Sequence, residues 1–176
     1  MTVSKTPQTR FRVAHLNPRQ PTDFALAPDD AARAALADEL GLDALPRLGF
    51  TGQIRAVSSD AWEVTGTLCA RVVQPCVVTL APVATDLQDM VHRIFSPHVA
   101  PPQGDEVEMP DDALEPLGQF IDTEAIMTEA LVLALPLYPR AEGAALDAAE
   151  PAPDEPARKP LAGLADLLKQ SRHRPD

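Results

Sequence analysis

The chain has 176 residues, a hydrophobic content of 45% and a formal net charge of −11 at pH 7. This length predicts a single domain with one core, and no stretch reaches the roughly 20 apolar residues that a membrane helix needs. Because nucleic-acid affinity comes largely from Lys and Arg, the negative charge argues against phosphate binding as the main activity and favours a basic partner. The N-terminal segment lacks the apolar region of a secretion signal. We therefore expect a cytoplasmic protein with no membrane partner.

The start of the chain predicts a short strand followed by a helix. The alternating segment RFRVAHL, residues 10–16, predicts an opening strand. Residues 21–45 have a helical pattern, within which the helix is predicted near residues 28–40. Pro28 suits the first helical position, the two aspartates after it favour a helix N-terminus, and Gly41 suits the position after the last turn.

The middle of the chain predicts an antiparallel sheet that is curved or barrel-like. Apolar and polar side chains alternate here, which places them on opposite faces of each strand. The strands are predicted at residues 49–57, 61–73, 76–83 and 88–95. The predicted core residues are Ile54, Trp62, Val64, Leu68 and Phe95.

A long acidic segment follows the sheet. Residues 99–139 contain no Lys or Arg, and residues 99–116 are rich in proline and acids. Such a composition predicts a disordered acidic loop. Its carboxylates could contact a basic partner, and the alternative is a loop that is merely solvated. The predicted partner-binding residues are Asp105, Glu106, Glu108, Asp111, Asp112 and Glu115.

The second helix is predicted near residues 122–135. Asp122 can cap its N-terminus, Ile121 and Ile126 have the spacing of a hydrophobic staple, and Pro136 ends it. With both helices packed on the sheet, the predicted fold class is α+β.

The predicted domain covers residues 1–140, and residues 141–176 are predicted to form a flexible tail. The tail ends in a short segment with leucines at the spacing of one helical face, which is marginal as a helix in isolation. We expect it to fold only against a groove, on a partner or on its own domain; the alternative is a chance apolar cluster. The leucines are Leu161, Leu164, Leu167 and Leu168.

The two cysteines, Cys69 and Cys76, raise the question of a metal site with His92 and His98. Their spacing does not fit a zinc finger, in which ligands come in close pairs. A disulfide requires the two cysteines to face each other, and a cytosolic setting keeps thiols reduced. We interpret both as small apolar residues of the sheet, and His92 as a half-buried strand residue. No metal or cofactor is expected, and no catalytic motif is present.

Two segments carry a resemblance to a known family, the hairpin GTLCARVVQPCVVTL and the helix end LALPLYPR. In this order they resemble the YceD-like family of bacterial large ribosomal RNA subunit accumulation proteins, from about Phe11 to about Leu146. Cys69, Arg71 and Pro75 match the family's hairpin motif, in which Cys-x-Arg is followed by Cys-Leu. Two valines stand in place of that second Cys and Leu. The chain also lacks the pair of cysteines that many relatives have after the helix.

The resemblance implies a non-enzymatic factor that supports accumulation, processing or assembly of large-subunit ribosomal RNA. The charge favours an acidic module that binds a basic large-subunit ribosomal protein or an assembly intermediate. The alternative is direct RNA binding through Arg71 and a basic N-terminal arm. A hydrolase or nuclease has no supporting residues. The basic N-terminal arm contains Lys5, Arg10, Arg12 and Arg19.

Arg71 is expected to be partly exposed. It could serve as a contact residue or as an intrasheet salt-bridge partner.

Overall fold

A computed structural model describes residues 8–99 and 114–145. The strands are β1 (Arg10–Arg12), β2 (Thr22–Leu26), β3 (Ala44–Ala56), β4 (Trp62–Pro75), β5 (Pro82–Ser96), β6 (Leu114–Pro116) and β7 (Phe120–Asp122). The helices are α1 (Asp30–Leu40) and α2 (Thr123–Ala134), and a 3-10 turn covers Val13–His15. Neither described helix is long and apolar enough to cross a membrane.

The strands form two sheets. The larger has the order β2-β3-β4-β5-β6, antiparallel except for the parallel pair β5 and β6, and the smaller pairs β1 with β7 antiparallel. The α+β class and the mostly antiparallel sheet are therefore confirmed. The barrel-like closure is wrong, because the sheet is open between β2 and β6 within the described residues. β6 has only three residues at the end of β5, which is too short to continue the ladder around a barrel.

The predicted strands at residues 76–83 and 88–95 are one strand, β5, and residues 76–81 form the turn before it. Pro75 and Pro82 face each other as the last pair of the β4–β5 ladder. Asp86 interrupts the apolar pattern without ending the strand, because its side chain lies on the exposed face and pairs there with arginine.

β2 was not predicted, because its residues fall within a stretch that has a helical pattern. Its alternate side chains Phe24 and Leu26 are buried against β3. The predicted first helix is confirmed as α1, but the placement of Pro28 at the first helical position is wrong, because Pro28 precedes the cap residue Asp29. The carboxylate of Asp29 accepts the N–H of Ala32, and Gly41 ends the helix with φ of 65°.

The core lies between one face of the large sheet and the two helices. All five predicted core residues are buried, and Ile54, Val64 and Leu68 are completely so. The second predicted helix is confirmed as α2, where the carboxylate of Asp122 accepts the N–H groups of Glu124 and Ala125. The helix buries Ile126, Met127, Ala130 and Leu131 in the same cluster.

Gly52 and Gly66 face each other across β3 and β4 on the core side. A Cβ atom on Gly52 would lie 2.1 Å from the carbonyl oxygen of Thr65, and one on Gly66 would lie 2.6 Å from the ring of Phe50. The two positions therefore allow no side chain. The ring of Phe24 packs against Phe50 at this point, with 5.0 Å between centroids.

All described elements lie in the first of two compact units, residues 1–144. Nearly all of the second unit, residues 145–176, lies outside the described ranges, so the predicted division at residue 140 and the flexible tail stay predictions.

We predict that Gly66→Ala lowers the free energy of unfolding by about 1–3 kcal/mol, because the added methyl group must displace the Phe50 ring or backbone. Urea denaturation would measure the loss. Gly49→Ala is the matched control, since a Cβ there would be 3.7 Å from its nearest neighbour. An equal loss in both variants would mean that close packing at Gly66 is not the cause.

Candidate functional site

The face of the sheet opposite the core carries several of the predicted site residues. Its side chains, on alternate residues of β2 to β5, are mostly exposed or half-buried. A groove of 610 Å³ crosses this outer face. Hydroxyl, amide and thioether groups line it, which suits hydrogen-bonded binding. They belong to Thr51, Gln53, Thr65, Thr67 and Met90, with Asp23 and His92 at the sides.

Arg71 lies on this outer face in an ion pair. Its Nη1 atom is 3.1 Å from one oxygen of Asp86, and Nη2 of Arg47 is 3.1 Å from the other oxygen. The Arg71 side chain is 51% exposed, as expected. The intrasheet salt bridge is thus formed, while a contact with a partner stays a prediction. Exposed pairs of this kind contribute little stability.

A second charged cluster lies farther along the same face. Glu63 is buried, with one oxygen 2.5 Å from Nε of Arg55 and the other 2.9 Å from Nε2 of His92. A hydrogen bond from Arg55, and to a smaller extent one from His92, lowers the pKa of Glu63 below its ordinary value. His92 lies on β5 with a half-exposed side chain, so the cluster is an internally satisfied network.

The four candidate zinc ligands are not brought together. Cys69 pairs with Gln88 in the middle of the sheet, whereas His92 pairs with Thr65. Cys76 lies in the β4–β5 turn, and His98 lies 2.6 Å from Asp60. Within residues 8–99 and 114–145, no group of three or more His, Cys, Asp or Glu side chains could hold a metal ion.

The interpretation of Cys76 as a sheet residue is wrong, since it is a buried hydrogen-bond acceptor in the turn. Its sulfur accepts backbone N–H groups of Ala141 at 3.3 Å, Val78 at 3.4 Å and Thr79 at 3.5 Å. These bonds, with that from Ala141 the largest contributor, lower the pKa of the thiol to about 6. Cys76 thereby fastens the segment after α2 to the turn, where Val77 N–H also bonds the carbonyl of Pro139.

Of the six predicted partner-binding acids, only Glu115 lies in the described part of the chain. The prediction of a disordered loop is wrong at residues 114–116, because they form β6 and pair with β5. The Glu115 carboxylate is 3.0 Å from Nε of Arg93, whose Nη2 is 3.1 Å from Glu129 on α2. Burial raises the pKa of Glu115, Glu129 adds to the rise, and Arg93 opposes it. Arg93 therefore connects β5, β6 and α2.

The other five acids lie outside the described residues: Asp105, Glu106, Glu108, Asp111 and Asp112. So do the tail leucines: Leu161, Leu164, Leu167 and Leu168.

An acidic surface on α1 escaped the sequence analysis. We call the exposed carboxylates of α1 and its flanks the α1 acidic surface: Asp29, Asp30, Asp38, Glu39 and Asp43. The nearby Arg33 forms an ion pair with Asp30 and also bonds the carbonyls of Pro28 and Leu45, so it offsets only one of the five carboxylates. Within the described part of the chain, Asp38, Glu39 and Asp43 form no ion pair. The signal in the sequence was the density of acids in one short helix with a single arginine.

A family model described as Large ribosomal RNA subunit accumulation protein YceD matches residues 64–168. The chain belongs to this family. No curated protein and no solved structure matches the chain.

The YceD match confirms the predicted resemblance and begins inside β4. It therefore includes the family-motif residues Cys69 and Arg71 on the outer face and Pro75 at the end of β4. The α1 acidic surface, together with β2 and β3, precedes the matched residues.

We predict that Cys76 makes the stability of this YceD protein depend on pH. Because the pKa of the folded thiol lies below its unfolded value, the thiolate adds stability that is complete above the unfolded pKa and is lost as the pH falls through about 6. The difference in urea midpoint between wild type and Cys76→Ala should therefore grow from pH 5.5 to pH 9. Cys69→Ala is the control for loss of a thiol; a constant difference for Cys76→Ala would contradict the prediction.

We predict that Arg93→Met lowers the free energy of unfolding by about 1–3 kcal/mol, because it leaves two carboxylates facing each other without their shared cation. Adding Glu129→Gln should recover part of this loss by removing the repulsion of Glu115. Chemical denaturation of the single and double variants would measure both effects. The account fails if the second substitution deepens the loss.

Proposed function

We propose that this chain is a non-enzymatic factor that supports accumulation of large-subunit ribosomal RNA. The observation that carries the proposal is the YceD family match over residues 64–168. Ribosome assembly would place its work in the cytoplasm. In this proposal it acts as an acidic module that binds a basic ribosomal protein of the large subunit, alone or within an assembly intermediate, and masks the RNA-binding surface of that protein until delivery.

The α1 acidic surface supports this mode of action. Opposite charge on the two partners accelerates their encounter and disfavours acidic competitors. The surface suits this role because its carboxylates are exposed and its one neighbouring arginine is engaged within the chain.

The shape of the same surface also suits a basic segment. A groove of 240 Å³ between α1 and β3 has the carboxylates of Asp30, Asp38 and Asp43 along its sides. Apolar groups of Ala34, Ala37, Leu45 and Pro46 also line it, together with Arg33, whose guanidinium pairs with Asp30 and leaves Asp38 and Asp43 available. A lysine side chain matches this combination, because its aliphatic stem can cover apolar atoms while its ammonium group reaches a carboxylate.

The alternative was RNA binding through the basic N-terminal arm and Arg71. Two arginines of that arm, Arg10 and Arg12, lie in β1, and the part of the alternative that depends on Arg71 has less support from the geometry. Arg71 and Arg47 share the carboxylate of Asp86, so a phosphate would have to compete with an existing ion pair. The acidic loop and the leucine-bearing tail stay predicted contacts of the same partner.

Binding to purified basic large-subunit ribosomal proteins tests the proposal. The variant D30N/D38N/E39Q/D43N removes the three unpaired carboxylates of the α1 acidic surface together with Asp30, which pairs with Arg33, and leaves the cap residue Asp29 intact. We expect association at low salt to slow at least about tenfold, and its dependence on salt to flatten, because electrostatic steering is lost.

The matched control is D23N/D89N/E124Q/E142Q, which changes the net charge equally at exposed positions elsewhere. It should bind nearly as fast as wild type. Equal slowing in both variants would show that only net charge matters, and no binding by wild type would refute the acidic-module proposal. Purified large-subunit RNA, tested in parallel, would reveal direct RNA binding.

A further inference from the structure

The small β1–β7 sheet presents cationic and aromatic groups on its exposed side. Its register pairs Arg10 with Asp122 and Arg12 with Phe120, while the intervening Phe11 and Ile121 are buried in the core. Because alternate residues of a strand share a face, the two arginines lie together on the outside with Phe120 and with Asp122, the partner of Arg10. The core residues between them fix this arrangement.

A cavity of 360 Å³ opens beside these side chains. Arg10, Arg12, His15 and Phe120 line it, with polar groups of Gln8 and Thr22, and no Asp or Glu of the described residues is among those that line it. Such a cavity is unexpected in a chain with a net charge of −11. Its chemistry suits an anionic ligand.

The two arginines differ in availability. The guanidinium of Arg10 lies 4.8 Å from the centroid of the Phe120 ring and 3.3 Å from Asp122, so it is held in place over the ring. Arg12 is exposed and forms no ion pair with any residue in the described ranges. Arg12 can therefore receive an anion, whereas Arg10 positions the aromatic ring.

Phe120 adds a second recognition element. Its side chain is 42% exposed although it is large and apolar. An aromatic ring beside arginine is the arrangement on which proteins stack the bases of single-stranded RNA while cationic groups bind the phosphates. The cavity volume is at the lower end of that of small-ligand sites, which suits one unpaired nucleotide and not a duplex.

We propose that this cavity binds a nucleotide of single-stranded RNA, with its phosphate on Arg12 and its base against Phe120. The choice of RNA among anionic ligands rests on the proposed role in ribosomal RNA accumulation. The site lies apart from Arg71, and it would let the protein contact RNA directly while the α1 acidic surface holds a basic protein.

Fluorescence anisotropy of the full chain with a labelled single-stranded oligoribonucleotide tests the inference. Arg12→Gln should weaken binding several-fold and reduce the slope of log K against log salt by about 0.7, the value for one lost phosphate contact on a single strand. Phe120→Leu keeps an apolar side chain and should weaken binding about fivefold or more, without changing the salt slope.

Arg71→Gln is the matched control, because it makes the same change in charge at the ion-paired position on the outer face. Its affinity should equal that of wild type, and a duplex of the same sequence should bind more weakly than the single strand. Equal losses for Arg12→Gln and Arg71→Gln, an unchanged Phe120→Leu, or no binding by wild type would each overturn the inference.

Binding of the basic ribosomal protein, measured with the same variants, separates this inference from the proposed function. Arg12→Gln should leave that binding intact. Failure of RNA binding alone would refute the cavity assignment, whereas failure of protein binding alone would refute the acidic module.

Discussion

The close approach of β3 and β4 at Gly52 and Gly66 is the constraint on which the rest of the structure depends. Because neither position carries a side chain, the rings of Phe24 and Phe50 can lie directly over the backbone. Phe11 continues this aromatic row, with its centroid 6.4 Å from that of Phe24. The row joins the small sheet to the large one, so the position of the basic cavity depends on two glycines in other strands.

In this arrangement, different surfaces of the protein differ in polarity and in charge. The large sheet buries one face beneath α1 and α2 and leaves the other polar, with its charges mostly paired among themselves. Unpaired charge is found at the margins instead, negative on α1 and positive beside β1. The two proposed binding surfaces therefore lie at different places and have opposite charge, although the net charge alone suggests only basic partners.

Local signals in the sequence were sufficient for the helices and for much of the sheet. Asp29, Gly41 and Asp122 mark helix ends through hydrogen bonds and backbone angles that depend on near neighbours. The alternation of apolar and polar residues along β3 and β4 was an equally clear signal. β2 was missed because its five residues, which alternate between apolar and polar, lie within a longer stretch that has a helical pattern. β6 was missed because three residues are too few to show a strand-like alternation.

The candidate sites were harder to predict, because they depend on contacts between distant residues. Nothing near Phe120 in the sequence indicates that Arg10 lies over its ring, since the register of β1 and β7 joins positions at opposite ends of the domain. The same holds for Cys76, whose strongest partner is Ala141. The sequence alone therefore did not indicate that the Cys76 sulfur accepts a backbone N–H group from a distant segment.

The pairing of β5 with β6 has a consequence for how this protein can vary. Ile94 lies opposite Leu114 and Ser96 opposite Pro116, and Arg93 binds carboxylates on both β6 and α2. The two ends of the acidic segment are thus held side by side whatever joins them. Because the entropy of closing a loop rises only slowly with its length, insertions there should disturb the domain little. The pairing of β5 with β6 therefore does not depend on the length or the charge of the segment that joins them.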